Sequence, residues 1–311
     1  MAVSKPFVKW VGGKTQLLPT IFEKFPKEIN NYHEPFIGGG SVLFHLLDKV
    51  NEKSITVKGS IYVYDYNINL INVYKDIQSN PENLFNEIMK HKDKLSSLEG
   101  KGKEALGKGR KKDYPKTVKA SESSRESYYY WQRDMFNKMK PCLEKSALFI
   151  FLNKTCFRGV YREGPNGFNV PYGGHSSKEK IPEIITLKYL KDASVLLKKV
   201  IFKSCDYKES FKNIKSGDFV YLDPPYVPED SKSFVAYNKG GFSEENHKEL
   251  FKLCHGLKDK KISFMMSNSK VDTVTESFVD AAYVVSRIVV KRSINSKNPG
   301  SKTEEVIITN Y

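Results

Sequence analysis

The stretch Phe219-Val220-Tyr221-Leu222-Asp223-Pro224-Pro225-Tyr226 constrains this chain more than any other. Val220, Tyr221 and Leu222 read as a buried strand. Each X-Pro step forces its predecessor into extended geometry and removes an amide donor, so the chain leaves the sheet as a stiff loop. Asp223 and Tyr226 are therefore expected at the carboxyl end of a strand. In open α/β sheets ligands bind along that edge, and a carboxylate and an aromatic ring on a rigid loop there read as a reaction site. Taken alone, the four residues equally describe a structural proline turn, and only partners elsewhere in the chain separate the two readings.

Charge narrows the partners. Lys and Arg number 51 against 36 Asp and Glu, a net charge of +15 over 311 residues, which favours a polyanion: nucleic acid first, a membrane surface second. Against the membrane, no run approaches roughly 18 consecutive apolar residues, and Met1-Ala2-Val3-Ser4-Lys5 lacks the apolar core of a signal peptide. Cys142, Cys156, Cys205 and Cys254 are widely spaced with no Cys-x-x-Cys pair, which argues against a disulfide framework and a zinc knuckle. An intracellular, soluble protein with reduced cysteines is expected. The length suits one large domain with an insertion, or two domains.

Two glycine motifs precede the acid-proline loop. In Phe7-Val8-Lys9-Trp10-Val11-Gly12-Gly13-Lys14-Thr15, Gly-Lys-Thr invites comparison with a phosphate-binding loop, but Val8 stands where that signature needs glycine. The alternative is a basic surface turn before a helix over Thr15 to about Lys24. In Glu34-Pro35-Phe36-Ile37-Gly38-Gly39-Gly40-Ser41, three glycines between a strand and an amphipathic helix let a small molecule approach bare amides and the helix amino end. Ile61-Tyr62-Val63-Tyr64-Asp65 then reads as a strand ending in an acid, where Rossmann-like folds bind ribose hydroxyls. The competing role for Asp65 is a helix cap for the segment from Asn67, and one residue can do both.

Helical patterning runs from Asn67 to Lys90, broken at Pro81. Between about Lys92 and Arg125 the chain turns to Lys, Glu, Gly and Ser, a solvated insertion whose run of basic residues over 108–112 could touch phosphates. Helices are expected over Ser127–Lys140 and Ile184–Lys198, strands over Val200–Lys203 and Phe264–Ser269, a helix capped by Ser243, and a terminal hairpin of Tyr283–Val290 with Glu305–Thr309. The segment Phe151 to His175 mixes aromatics, arginines and turn residues without periodicity and reads as a structured loop or hairpin. Arginine forks suit guanine edges, and exposed large side chains can fill the hole left by an extruded base.

Alternating strands and helices predict an α/β fold: a Rossmann-like mixed sheet with a C-terminal antiparallel hairpin, carrying an inserted, mostly helical domain. Residues 1–66 and 184–311 form the expected catalytic domain and 67–183 the insertion. The ordered set Lys-Trp-Val-Gly-Gly-Lys, Glu-Pro-Phe-Ile-Gly-Gly-Gly-Ser-Val-Leu-Phe, Tyr-Asp-Tyr-Asn, Phe-Asn-Val-Pro and Asp-Pro-Pro-Tyr resembles the DNA adenine N6-methyltransferase family typified by bacterial Dam, over nearly the whole chain except about 92–125.

That resemblance implies methyl transfer from S-adenosylmethionine, without a metal, to the N6 amine of a flipped adenine in double-stranded DNA. Asp223, Pro224, Pro225 and Tyr226 would form the catalytic loop. Trp10, Lys14, Phe36, Gly38, Gly40, Asp65, Asp206 and Tyr207 would bind the cofactor: Trp10 and Lys14 at its methionine end, Gly38 and Gly40 as its backbone turn, Asp65 on its ribose, and Asp206 with Tyr207 on its adenine. Lys9 and Arg162 match base-contacting positions and Phe157 an intercalating one; Arg158, Val160, Pro171 and His175 complete the implied DNA-binding set. Arg158 stands where GATC-specific enzymes carry Asn, Val160 where they carry Leu, and His175 where Tyr follows Phe-Asn-Val-Pro. The expected target is GATC or a related site, the expected form a monomer, and a cognate restriction endonuclease a functional partner.

Two rivals stand beside this reading. An N4-cytosine methyltransferase uses the same physics on another amine, although Asp rather than Ser before Pro-Pro-Tyr leans toward adenine by family resemblance. A catalytically silent DNA-binding protein could keep the fold. A zinc deaminase is rejected, because His247-Lys248-Glu249 has no following Pro-Cys-x-x-Cys.

Overall fold

The computed structural model describes residues 5–99, 115–174, 181, 183–228, 242–291 and 302–311. Its contacts group the chain into an α/β unit, Lys14–Asn67 with Lys199–Tyr311, and a helical unit, Val3–Gly13 with Ile68–Lys198.

Seven strands build the sheet of the α/β unit: β1 (Tyr32–Glu34), β2 (Ile61–Asp65), β3 (Val200–Ser204), β4 (Phe219–Leu222), β5 (Ser263–Ser269), β6 (Val284–Lys291) and β7 (Lys302–Thr309). Their order is β6-β7-β5-β4-β1-β2-β3. The five strands from β5 to β3 pair in parallel, whereas β7 runs antiparallel to both β5 and β6. All three residues of β1 and all four of β4 are buried, the continuous burial of parallel strands rather than an alternating pattern. The chain leaves β1 toward β2 on one side, and β4 lies on the other. The order therefore reverses between β1 and β4, and the carboxyl ends flanking that switch point are where such sheets bind ligands.

One layer of core lies where the helix Glu244–Asp259 brings Leu250, Phe251, Cys254 and Leu257 into one buried cluster with Val220, Leu222, Phe264 and Met266. Ser243 starts that helix with a reciprocal cap: its hydroxyl accepts Asn246 N–H while the Asn246 side chain accepts Ser243 N–H. Near the amino ends of β1 and β4, Asp218 accepts from Asn31 N–H, the Asn31 amide and Lys215 N–H and pairs with His33 Nε2 at 3.1 Å, which makes this buried histidine a structural one.

The helical unit contains Ile68–Ser79, Pro81–Ser97, Arg125–Lys138, Leu143–Thr155 and Leu187–Leu197. Pro81 opens the second of these at its first turn, where the missing amide costs nothing. The polar stretch expected from about Lys92 begins later than its composition implies. The helix continues to Ser97, Leu95 is buried, and the buried Arg125 guanidinium donates to Leu95 O and Leu98 O at its end. The basic run over 108–112 lies outside the described residues. The apolar run Ala147–Leu152 is the centre of a 13-residue helix, buried without a break from Ser146 to Asn153.

The helix Arg125–Lys138 buries tyrosines, Gln132 and Arg133 because it organises the irregular segment after Phe151. Tyr129 and Arg133 both donate to Val170 O, at 2.9 and 2.8 Å, and the Asn137 amide brackets Phe168 by accepting its N–H and donating to its carbonyl. Between these ties the chain forms a tight turn over Phe157–Gly159 and a hairpin pairing Glu163–Gly164 with Gly167–Phe168.

Candidate active site

The acid-proline loop leaves β4 at Leu222 and is held from the side by the next strands. Val227 N–H donates to Asn268 Oδ1 at 3.1 Å, Ser269 Oγ donates to Val227 O, and Tyr226 OH donates to Glu305 Oε2 at 2.8 Å. The prolines remove the loop's own donors, so β5 and β7 supply the side chains that fix it. Lys14 Nζ lies 2.7 Å from Asp223 Oδ1 and 4.7 Å from the centroid of the Tyr226 ring. Only 4% of the Lys14 side chain is exposed, and its backbone N–H donates to Ser41 Oγ at the start of the helix Ser41–Asn51.

The glycine turn follows β1. Gly38 (φ 48°) and Gly40 (φ 76°) occupy the left-handed region, which glycine reaches without a Cβ penalty, and Gly40 leads directly into the 11-residue helix Ser41–Asn51. Asp65, at the end of β2, accepts Gly38 N–H through Oδ2 at 3.1 Å and Asn67 N–H through Oδ1 at 2.9 Å. Asn67 precedes the helix Ile68–Ser79, so Asp65 closes a turn ahead of that helix rather than capping its first N–H groups, and the carboxylate also ties the glycine turn to the neighbouring strand. Phe36 stacks on Tyr207 with centroids 5.6 Å apart, and Phe242 packs against Tyr207 at 5.4 Å. Asp206 caps the short helix Tyr207–Phe211 by accepting Lys208 N–H at 3.0 Å.

Three carboxyls at this edge titrate high. Burial pushes Asp223 up to about 6, with Lys14 opposing and Glu305 adding to the rise. Burial likewise lifts Asp65 to about 6 against the two backbone amides that favour its charge. Glu34, at the end of β1, is carried by burial to about 8, opposed by the Tyr32 hydroxyl that donates to it at 2.8 Å and raised further by the charge of Asp223. The sequence shows Glu34 only as an acid preceding Pro35, and Glu305 only as one of two acids in a terminal strand; neither reads as a site residue without the register of the sheet.

Glu34 carries a stability prediction. Its folded value lies above the unfolded 4.5, so the stabilisation belongs to the protonated form, is fully present below about 4.5 and is lost progressively as pH rises to about 8. Glu34→Gln should match the parent at ~pH 4 and be more stable at ~pH 9, by roughly a few kcal/mol. Thermal unfolding of both proteins at the two pH values measures this, and a difference that does not change with pH would remove Glu34 as the titrating group.

The remaining sequence-selected residues lie in the helical unit. Trp10 stacks on Tyr161 and Phe149, at 5.2 and 6.3 Å. Lys9 is exposed, and Phe157 is 49% exposed with the Arg158 guanidinium 5.0 Å over its ring. Arg158 adopts φ 60°, Val160 is half-buried, Arg162 Nε donates to Asn169 Oδ1 at 2.8 Å, and Pro171 O accepts Phe157 N–H. His175 lies outside the described residues. Among the described residues there is no cluster of three or more His, Cys, Asp or Glu able to hold a metal, and no helix long and apolar enough to cross a membrane.

A mixed sheet with a glycine turn after β1 and an acid-proline-proline-aromatic loop after its neighbour β4 has the Rossmann-like arrangement in which two loops flank one ligand-binding switch point. Comparison with known proteins makes this specific. The model of the D12 class N6 adenine-specific DNA methyltransferase family matches residues 10–103 and 105–294, and the chain belongs to that family. It is 36% identical over 320 residues to the type II methyltransferase M.MjaIII of Methanocaldococcus jannaschii, covering 99% of both chains. To the type II methyltransferase M1.LlaDCHI of Lactococcus lactis it is 32% identical over 313 residues, covering 99% of this chain and 95% of that one. To the DNA adenine methylase of Haemophilus influenzae it is 28% identical over 303 residues, covering 96% of this chain and 91% of that one. The protein is an enzyme, an N6-adenine DNA methyltransferase.

Proposed function

We propose that the protein takes its methyl group from S-adenosylmethionine, bound at the carboxyl edge of β1 and β2, and delivers it to an adenine flipped out of duplex DNA against the Asp223–Tyr226 loop. In this reading the α/β unit carries the chemistry and the helical segments between residues 67 and 183 carry target recognition. The observation that supports it best is the Lys14 ammonium, which donates to Asp223 at 2.7 Å while lying over the Tyr226 ring. An exocyclic amine on a base stacked against Tyr226 would make the same demands: an acceptor for its hydrogens and an aromatic wall.

The residues fit the cofactor. Two left-handed glycines and a helix amino end give close approach to backbone amides, and the Asp65 oxygens keep lone pairs for hydroxyls beyond the two amides they accept. Phe36 and Tyr207 offer a flat apolar face for a purine, with Asp206 beside them. When bound, S-adenosylmethionine supplies an electrophilic methyl for in-line displacement. The protein's part is positioning. An adenine amine is a weak nucleophile because its lone pair is conjugated with the ring; Asp223 and the Pro224 carbonyl accept its two hydrogens and draw the nitrogen toward tetrahedral geometry, while Tyr226 stacks on the base. The amine need not lose a proton before attack, since the excess proton departs from the methylated product.

Sequence choice falls to Lys9, Arg158, Val160, Arg162 and Pro171, with Phe157 filling the hole left by the flipped base. His175 completes the set named from the sequence. Arg162→Ala should relax selection at one guanine, with a loss of about 1–3 kcal/mol in discrimination. Methylation rates on duplexes altered one base pair at a time measure this, and weakening spread evenly over all sequences would make Arg162 a phosphate contact instead.

Methylation of duplex DNA with labelled S-adenosylmethionine, followed by digestion to nucleosides, tests the whole reading. Label in N6-methyladenine is expected; label in N4-methylcytosine, or no binding of the cofactor in calorimetry, would overturn it. Single-molecule sequencing of DNA from expressing cells then identifies the site, for which GATC or a related sequence is expected.

A further inference from the structure

Asn153 lies in the last turn of the helix Leu143–Thr155 and has no exposed surface. A buried side-chain amide is costly unless its hydrogen-bonding groups are used, and here both ends are. Its Oδ1 accepts Lys9 N–H at 2.9 Å, and its Nδ2 donates to Lys9 O at 3.0 Å and to Gly159 O at 3.2 Å. One side chain therefore pairs with both backbone groups of Lys9, as a neighbouring strand would, and ties them to the end of the Phe157–Gly159 turn. Only a side-chain amide presents an acceptor and two donors in one plane for this purpose.

The contact continues through Gly159. At φ 67° its missing side chain leaves room for the aliphatic stem of Lys9: a Cβ there would stand 2.3 Å from Lys9 Cδ. Arg158 sits beside it at φ 60°, a left-handed backbone that a non-glycine residue keeps where its surroundings hold it. Asn153 and Gly159 are buried, whereas what they hold is not: Lys9, Phe157 and Arg158 are exposed.

We propose that Asn153 is a positioning residue for target recognition, locking Lys9 and the Phe157–Arg158 turn into one register so that the base contact and the wedge act as a single device. This rests on the reading of Lys9 and Phe157 as DNA contacts. Because the Asn153 side chain hydrogen-bonds to backbone groups and is itself buried, its effect is on where those exposed side chains stand rather than on a DNA contact of its own.

The test is Asn153→Asp, which keeps the size and the acceptor and removes both donors. The ratio of kcat/KM on the target duplex to that on single-base variants should fall roughly tenfold or more, as small misplacements of recognition groups cost, while S-adenosylmethionine affinity stays unchanged. In a Lys9→Ala/Phe157→Ala background the same substitution should add no further loss, because both act through one device. An equal, independent loss in that background, or full discrimination in Asn153→Asp alone, overturns the proposal. If Lys9→Ala and Phe157→Ala leave discrimination intact, the reading of those residues as DNA contacts fails and the proposal with it; if they lower it and Asn153→Asp does not, the proposal alone fails. Should the variant not fold, hydrogen exchange on the unaltered protein decides. A protected Lys9 amide in the DNA-free enzyme is expected, and exchange at the rate of a free peptide overturns the assignment.

Discussion

Asp223→Ala is expected to lose methyl transfer by roughly a hundred- to a thousandfold or more, the scale on which removing one preorganised polar contact to the reacting group acts, while S-adenosylmethionine binding is kept. Asp223 lies outside the glycine turn, Asp65 and the Phe36–Tyr207 stack that are proposed to hold the cofactor, so the loss should fall on turnover. Single-turnover kinetics beside calorimetric titration separates the two, and near-normal turnover would sink the assignment. Asp223→Asn is the sharper variant, because it keeps the shape and one acceptor oxygen but turns the other group into a donor facing the Lys14 ammonium and the incoming amine. A hydrogen-bond acceptor role predicts a severe loss for both substitutions.

Lys14→Met should move the acid limb of activity toward higher pH. With Lys14 in place Asp223 titrates at about 6, and the lysine is the cause that opposes the burial-driven rise. Removing the cation leaves burial and the Glu305 charge to push the carboxyl further up, so a larger fraction is protonated, and useless as an acceptor, at neutral pH. Activity lost at pH 7 should therefore partly return at higher pH, which a pH–rate profile under saturating cofactor measures. Stability follows the same sign. The variant holds an uncompensated carboxylate, so its deficit against the parent should grow as pH rises and shrink as Asp223 takes up its proton. Breaking a buried pair costs up to roughly 3 kcal/mol once the partial exposure of Asp223 is allowed for. Lys14→Arg, which keeps the charge, should leave the acid limb in place; a profile that moves equally in both variants would detach Lys14 from the titration of Asp223.

Much of this was legible in the residues because the physics involved is local. Pro224 and Pro225 remove donors wherever they stand, Gly38 and Gly40 permit left-handed turns whatever surrounds them, and the continuous burial of Phe219–Leu222 was readable as an apolar run. The mixed sheet, its terminal hairpin and the helical character of the segment after Asn67 follow from periodicity and turn chemistry of the same kind. Boundaries were less legible where a distant partner extends an element: the helix Pro81–Ser97 outlasts its apolar pattern because Arg125 takes up its last carbonyls.

What the tertiary structure alone decided are the pairings across large sequence separations. Glu305 meets Tyr226 because β7 inserts antiparallel between β5 and β6, Lys14 meets Asp223, and Glu34 becomes an acid titrating near 8 because it ends a wholly buried strand next to β4. Asn153, unremarked in the sequence, turns out to hold Lys9 from 144 positions away. Hydrogen bonds and charge coupling depend on distances of a few ångströms, and spacing along the chain carries no information about those distances once loops and crossovers intervene. The Asp-Pro-Pro-Tyr loop announced a rigid acid at a strand end; the tertiary fold decided that this acid would meet the Lys14 ammonium and feel the charge of Glu305.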